Sequence, residues 1–200
     1  PRVAVADLHQ VEELGAAGDF RLNLYHSPGA PEGERRLKLY RRGSVSLSEV
    51  LPYFTDLGVV VTDERPYELS RQDGSSVHIY DFGLRAEDEE SWTRGPDGMR
   101  AAFQGAFQAV WEGLAESDGF NALVLSAGLT WRQIVILRTV SKYLRQTGTT
   151  FSQEYIEATL RGNAHIARLL VELFETRFDP DRYAQVGGSA DAGAERTGAE

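Results

Sequence analysis

Cysteine is absent from this 200-residue chain, which excludes disulfides and thiolate metal sites. No apolar run approaches the roughly 20 residues that a membrane-spanning helix needs, and the N-terminus lacks a signal-peptide pattern. Basic residues are outnumbered, with 21 Lys and Arg against 30 Asp and Glu, so the net charge is −9. So acidic a chain disfavours binding to nucleic acid or to an anionic membrane. We expect a cytoplasmic protein, and the start at Pro1 instead of Met indicates a fragment or a processed product.

Common catalytic motifs are missing as well. There is no G-x-G-x-x-G fingerprint after a strand, no phosphate-binding loop, no nucleophile elbow and no His-Glu-x-x-His motif. The four histidines show no metal-ligand spacing (His9, His26, His78 and His165). The acidic run 87–90 is interpreted as a solvated linker, because no other ligand converges on it in the sequence. The residues alone therefore predict no catalytic residue, no metal site and no cofactor in this chain.

The composition is that of a globular protein, with 42% hydrophobic and 26% charged residues. An N-terminal flank, residues 1–19, contains a possible short helix over Ala6–Leu14. Phe20, Leu22 and Leu24 then alternate with polar residues, a period of two that predicts a strand with one buried face. A second alternation at Leu37–Tyr40 predicts the next strand, after a loop rich in Pro and Gly.

The first long helix is predicted just after these strands. Ser46 and Glu49 form a capping-box pair at its start, and Gly58 ends it. Pro52 would remove a backbone hydrogen bond in the second turn, unless the helix begins nearer Ser48.

Two more strands and a second helix follow. Val59–Val61 is interpreted as a central strand, and Asp73-Gly74 predicts a hairpin turn into a return strand over 77–84. Apolar residues then recur at helical spacing from Met99 to Leu114. Residues 20–117 therefore have the order β-β-α-β-β-α, which predicts an α+β fold with two helices on a four-stranded antiparallel sheet.

Residues 118–180 show only helical patterns. Asp118–Ala127 is a short helix, and Thr130 with Gln133 forms the capping box of a longer one that ends at Gly148. Two adjacent apolar faces of this helix predict packing between neighbours (Ile134, Leu137, Ser141 and Leu144; Ile136, Val140 and Tyr143). Its basic residues are predicted to form a solvated edge (Arg132, Arg138, Lys142 and Arg145).

A further capping box at Thr150 and Gln153 predicts another helix. The last helix is predicted to turn six residues into the core (Ile166, Leu169, Leu170, Leu173, Phe174 and Phe178). The tail 181–200 is rich in Gly, Ala, Ser and acidic residues, so we expect it to be disordered.

One segment has binding character. Arg42, Gly43, Ser44 and Ser46 connect a predicted strand to the start of a helix. A glycine loop that leads into a helix N-terminus offers free N–H groups and the positive dipole end to an anion such as a carboxylate. These four residues are the candidate effector site, and an ordinary β–α turn with a helix cap is the alternative.

Many short motifs, in order from about residue 20 to 180, resemble one family. They are Leu51-Pro52-Tyr53-Phe54, Gly58, Glu64-Arg65-Pro66-Tyr67, Glu116-Ser117-Asp118-Gly119-Phe120-Asn121, Leu123-Val124-Leu125, Gly128-Leu129-Thr130-Trp131-Arg132-Gln133, Tyr143-Leu144-Arg145-Gln146, Phe151-Ser152-Gln153-Glu154-Tyr155-Ile156, Ala167-Arg168-Leu169-Leu170, Leu173-Phe174 and Arg177-Phe178-Asp179-Pro180. The chain is thereby similar to the N-terminal regulatory region of the large bacterial NAD-dependent glutamate dehydrogenases.

The resemblance implies more than the patterns do. It implies an ACT-like (ferredoxin-like) domain over 20–117, often a fold for sensing amino acids, and a helical connector domain over 118–180. The parent enzyme would be a homo-oligomer that converts L-glutamate and NAD to 2-oxoglutarate, ammonium and NADH. The family's catalytic lysine site and dinucleotide fingerprint have no match here, so no catalytic residue is carried over. The implied partners are the catalytic region of the same polypeptide and other subunits.

Three hypotheses follow. The chain is a non-catalytic regulatory or assembly segment of such an enzyme, or an amino-acid-binding sensor that uses the candidate effector site. The third is a ferredoxin-like nucleic-acid module, which needs exposed aromatics on its sheet beside basic neighbours. Tyr80 and Phe82 meet that pattern only in part, and the acidic charge opposes it.

Overall fold

The computed structural model describes residues 2–15, 19–71, 74–92 and 96–180. Asp73 of the predicted hairpin turn and the tail 181–200 lie outside these ranges. The elements are α1 (Arg2–Glu12), β1 (Phe20–Tyr25), β2 (Glu34–Arg42), α2 (Leu47–Asp56), β3 (Val59–Ser70), β4 (Ser76–Ala86), a 3₁₀ turn (Glu89–Trp92), α3 (Pro96–Trp111), a second 3₁₀ turn (Gly119–Ala122), α4 (Leu123–Ala127), α5 (Trp131–Gln146), α6 (Gln153–Gly162) and α7 (Ala164–Phe178).

The predicted α+β order is confirmed. All strand pairs are antiparallel, and the sheet has the order β1-β2-β4-β3. The chain order ββαββα is the βαββαβ order of ferredoxin-like folds with its last strand moved to the front. The prediction that Val59–Val61 begins a central strand is wrong, because β3 lies at the sheet edge. Pro66, which has no N–H to donate, is tolerated at such an edge.

A glycine in β4 allows the close approach of β3. The register between these strands shifts between Val61 and Asp63, opposite Gly83. A Cβ on Gly83 would overlap the side-chain oxygens of Thr62 and Asp63, so a larger residue here would have to displace both side chains.

The two faces of the sheet are covered by different helices. α2, α3 and the helices that follow cover one face, where β2 and β4 contribute buried residues (Leu37, Leu39, Tyr80, Phe82 and Leu84). α1 and the residues just after it cover part of the other face, where Val11 and Leu14 pack on Tyr40, Val77 and Ile79. β4 is therefore buried on both sides, as a central strand should be. Tyr80 and Phe82 are buried, so neither supplies the exposed aromatic that the nucleic-acid hypothesis needs.

A side chain from α3 closes the outer edge of β1. The Leu24 N–H donates to Gln104 Oε1 at 2.9 Å, and Gln104 Nε2 donates to the Leu22 carbonyl at 3.4 Å. These backbone groups would otherwise be open to a further strand. The Gln104 amide thus takes the place of a neighbouring strand at this edge.

The helical part continues the same core. Phe120, Leu123, Ile134, Ala167 and Val171 belong to one buried cluster with the sheet and α2. Gly58, at φ +80, ends α2 beside the second 3₁₀ turn. A Cβ added at this glycine would lie 3.1 Å from the Ala122 Cβ. The two predicted domains therefore share one core, and their boundary stays a prediction.

The α5 prediction is confirmed at both ends and partly wrong on its faces. The Thr130–Gln133 capping box is present, and Gly148 follows the helix at φ +93. Ile134, Leu137 and Ser141 are buried as predicted, whereas Val140, Tyr143 and Leu144 are exposed. None of these three is covered within the described residues.

The other two predicted capping boxes are wrong. Ser46 precedes α2 but makes no side-chain cap, because its hydroxyl pairs with the Ser48 hydroxyl at 2.7 Å. α6 is capped by Ser152, whose hydroxyl accepts from the Tyr155 N–H at 3.1 Å, and not by Thr150. α2 keeps Pro52 in its second turn because the helix begins at Leu47.

Candidate functional site

The candidate effector site lies in a tight turn between β2 and α2. Gly43 adopts φ +83, a left-handed conformation that turns the chain off the end of β2 at no steric cost. Gly43, Ser44 and Ser46 are exposed. The N–H of Val45 donates to the Tyr80 hydroxyl at 3.0 Å, which anchors the turn to the sheet.

The N-terminus of α2 has the free backbone N–H groups for which the site was proposed. No side chain caps it, since Ser46 is occupied by Ser48. The Glu49 N–H donates to the Ser46 carbonyl at 3.1 Å, so the earlier amides of the first turn are the ones that face the exposed surface beside Gly43 and Ser44.

Arg42 points elsewhere. Its Nη2 donates to the Leu14 carbonyl at 3.3 Å, on the sheet face that α1 covers, and its buried Nε has no hydrogen-bond partner. The turn therefore brings Gly43, Ser44 and Ser46 together and leaves Arg42 with the α1 side. Binding of an effector by these four residues stays a prediction.

The same sheet face carries a compact charged network that the sequence did not indicate. Arg36 lies between Asp81 and Asp63, with Nε donating to Asp81 at 2.8 Å and Nη2 donating to Asp63 at 2.9 Å. Tyr25 donates its hydroxyl to Asp81 at 3.0 Å. Burial, followed by the Asp81 charge, raises the pKa of Tyr25 to about 12. Hydrogen bonding from Arg36 holds the pKa of Asp63 below its ordinary value. Each acid is thus matched by a donor, so the network ties strands together.

A second buried network joins the α+β part to the helices. Arg138 was predicted to lie on a solvated edge, and this is wrong, because it is 4% exposed. Its guanidinium holds both oxygens of Asp118, at 2.7 and 2.8 Å, and donates to Asn121 Oδ1 at 2.7 Å. Gln153 of α6 also donates to Asp118, at 3.3 Å. Arg138 therefore clamps the segment that leads from α3 into the helices.

The surface of α7 is the largest departure from the sequence prediction. The six residues assigned to the core are exposed by 39–65% (Ile166, Leu169, Leu170, Leu173, Phe174 and Phe178). The helix instead buries Ala167 and Val171 beside α4. We call the six exposed residues the α7 apolar face. Exposed apolar surface of this kind is typical of interaction sites.

The described part of the chain provides neither a metal site nor a membrane span. Across the described ranges, no group of three His, Cys, Asp or Glu side chains could hold a metal ion. None of the described helices is both long and apolar enough to cross a membrane.

An antiparallel sheet with two helices on one face, joined to a helical part by a clamped linker, defines an ACT-like α+β fold followed by helices. Residues 19–95 match the family model described as glutamate dehydrogenase, ACT3 domain, and residues 115–180 match glutamate dehydrogenase, helical motif 3. The chain belongs to the family of large NAD-specific glutamate dehydrogenases.

Three curated proteins support this assignment, each named NAD-specific glutamate dehydrogenase. Those of Halomonas elongata, Mycobacterium tuberculosis and Pseudomonas aeruginosa are 42%, 40% and 36% identical to this chain over 180, 186 and 183 residues. The alignments cover 89–90% of this chain and 11% of each relative. The chain thus corresponds to about a tenth of the length of these relatives.

Proposed function

We propose that this chain is a non-catalytic regulatory and assembly segment of an NAD-dependent glutamate dehydrogenase. The parent enzyme would convert L-glutamate, NAD and water to 2-oxoglutarate, ammonium and NADH, with NAD bound outside this chain. Its partners would be the catalytic region of the same polypeptide and the other subunits of a homo-oligomer. A cytoplasmic location stays a prediction.

The α7 apolar face is the observation that carries this proposal. Completing the burial of six half-exposed apolar side chains would contribute roughly 1 kcal/mol each, enough to hold two parts of an assembly together. The relatives are about nine times longer than their aligned part, so the regions that would cover this face lie outside that part, in the same polypeptide or in a neighbouring subunit.

The double substitution Leu169→Ser and Leu173→Ser in the full-length enzyme tests the assembly role. We expect a smaller or heterogeneous assembly by light scattering after size-exclusion chromatography, and a parallel loss of glutamate-dependent NADH formation. Both residues are already exposed in this chain, so its own unfolding temperature should hardly change. Glu172→Ser, an exposed change on the same helix, is the matched control. An unaltered assembly in the double variant would contradict the role of this face.

The alternative function is an amino-acid sensor at the β2–α2 turn. The uncapped, exposed N-terminus of α2 beside Gly43 supports it, because an α-carboxylate suits such a helix end. Calorimetric titration of the chain with a panel of amino acids tests it. Binding that is lost in Gly43→Val, which cannot easily adopt the positive φ, supports the sensor. Absence of heat and of thermal shift with every amino acid would leave the assembly role alone.

A further inference from the structure

A cationic cavity lies far along the sheet from the β2–α2 turn, at the opposite end of β2. It has a volume of about 320 Å³ and opens to solvent between the end of β1, the start of β2, Trp92 and the first turns of α3. Its lining residues are Leu24, Tyr25, His26, Arg35, Trp92, Met99 and Arg100. This volume lies within the range of small-molecule sites.

The charge of this cavity is opposite to that of the chain. Two arginines line it, and none of the described lining residues is acidic, although the chain carries a net charge of −9. Glu32 lies close enough to act on the Arg35 charge, but it does not line the cavity. Partial burial lowers the pKa of Arg35. Hydrogen bonds from a guanidinium to a carboxylate are charge-assisted and about twice as strong as neutral ones.

Both arginines are held by hydrogen bonds within the chain, and each has N–H groups that these bonds do not use. Arg35 uses Nη1 for the carbonyls of Glu32 and Glu34, at 2.8 and 2.7 Å, and its guanidinium carbon lies 5.7 Å from the centre of the Trp92 ring. Arg100 uses Nε for Gln104 and Nη2 for Asn23. The described hydrogen bonds leave Nε and Nη2 of Arg35 and Nη1 of Arg100 available to a ligand.

We propose that this cavity binds a small carboxylate anion that carries no ammonium group. The two arginines would hold its carboxylates, and the Trp92 ring would provide an apolar wall. An amino-acid zwitterion fits less well, because no described lining side chain is a carboxylate that could receive its ammonium group. The cavity thereby selects a 2-oxo acid or dicarboxylate over an amino acid, and it is independent of the β2–α2 turn.

Calorimetric titration of the chain at constant ionic strength tests the proposal, with 2-oxoglutarate, L-glutamate and inorganic phosphate as probes. We expect 2-oxoglutarate to bind more tightly than either of the others. Arg100→Gln should weaken this binding about tenfold or more, since it removes a charged donor, and Arg100→Lys should restore part of it. Arg132→Gln removes an exposed helical arginine elsewhere and should leave binding unchanged.

Each part of the proposal has its own contradicting outcome. Absence of 2-oxoglutarate binding, or equal weakening by Arg132→Gln, would overturn the site. Equal binding of phosphate would overturn the selection of carboxylates, and tighter binding of L-glutamate would overturn the discrimination against an ammonium group. Because Arg100 is exposed, circular dichroism should show that both of its variants fold like the parent chain.

Discussion

Tyr25 shows how the fold changes the chemistry of a single residue. Its hydroxyl donates to Asp81, which lies 56 positions away in the sequence, and Arg36 completes the group. Ionisation of this phenol would place a second negative charge against Asp81 in a partly buried position. The neutral form is therefore favoured in the folded state.

The pH dependence of stability follows from this shift. The pKa of Tyr25 is raised from 10.0 to about 12 in the fold, so its contribution is fully present below pH 10. That contribution is lost as the pH rises from about 10 to 12. We expect the free energy of unfolding, from urea titrations, to fall more steeply across this window in the parent chain than in Tyr25→Phe. Equal slopes for the two proteins would contradict the shift.

Arg138 shows why the sequence could not reveal the buried networks. On a helical projection it falls off the apolar face, which ordinarily means a solvated charge. Its partners Asp118 and Asn121 lie 20 and 17 positions earlier, and only the packing of α5 on the second 3₁₀ turn brings them together. Periodicity records which side of a helix is apolar and contains no information about a distant carboxylate.

At the scale of elements, helix ends show what local sequence can and cannot determine. The Thr130–Gln133 pair forms because both partners lie within one helical turn, and Gln133 Oε1 accepts from Thr130 while its Nε2 donates to Glu175. The Ser46 hydroxyl hydrogen-bonds to the nearby Ser48 hydroxyl instead of capping α2. The cap of α6 is Ser152, two residues after the predicted Thr150, and serine suits this position equally well. The spacing identifies a helix start, whereas the choice between nearby hydroxyls depends on the exact first residue.

The caps give a prediction with built-in controls. Thr130→Ala and Ser152→Ala should each lower the free energy of unfolding by about 1 kcal/mol, because each leaves a helix amide unsatisfied. Thr150→Ala and Ser46→Ala remove hydroxyls that cap no helix and should cost clearly less. Urea unfolding followed by circular dichroism measures all four. A loss in Thr150→Ala equal to that in Ser152→Ala would mean that α6 begins earlier.

α7 and β3 were misplaced for a related reason. Helical spacing identifies the apolar stripe of α7. The same spacing occurs in a helix that faces the core of its own domain and in one that faces another part of an assembly. Within this chain, α4 occupies the neighbouring Ala167 and Val171 side. The Val59–Val61 run likewise predicts a buried strand, and only the pairing of β4 with both neighbours places β3 at the edge.

At the scale of the whole molecule, the described residues form a main core that runs from the sheet into the helices, a smaller cluster beneath α1, and the exposed α7 apolar face. The element order and the ββαββα arrangement were predictable, because alternation, helical spacing and glycine stops are local signals. The core shared across the proposed domain boundary was not predictable, since it depends on the close approach of Gly58 to Ala122, which are distant in the sequence. The exposed α7 apolar face agrees with a segment that matches 11% of each much longer relative.

Hydroxyl-radical footprinting of α7 tests the central claim most directly. The same peptide, containing Leu173, Phe174 and Phe178, would be followed by mass spectrometry in this chain alone and in the full-length dehydrogenase. Phe103, which is fully buried, serves as the unlabelled reference in both. Strong oxidation in the isolated chain and protection in the full-length enzyme are the predicted results. Equal oxidation in both would show that nothing covers this face, which would contradict an assembly role for the segment.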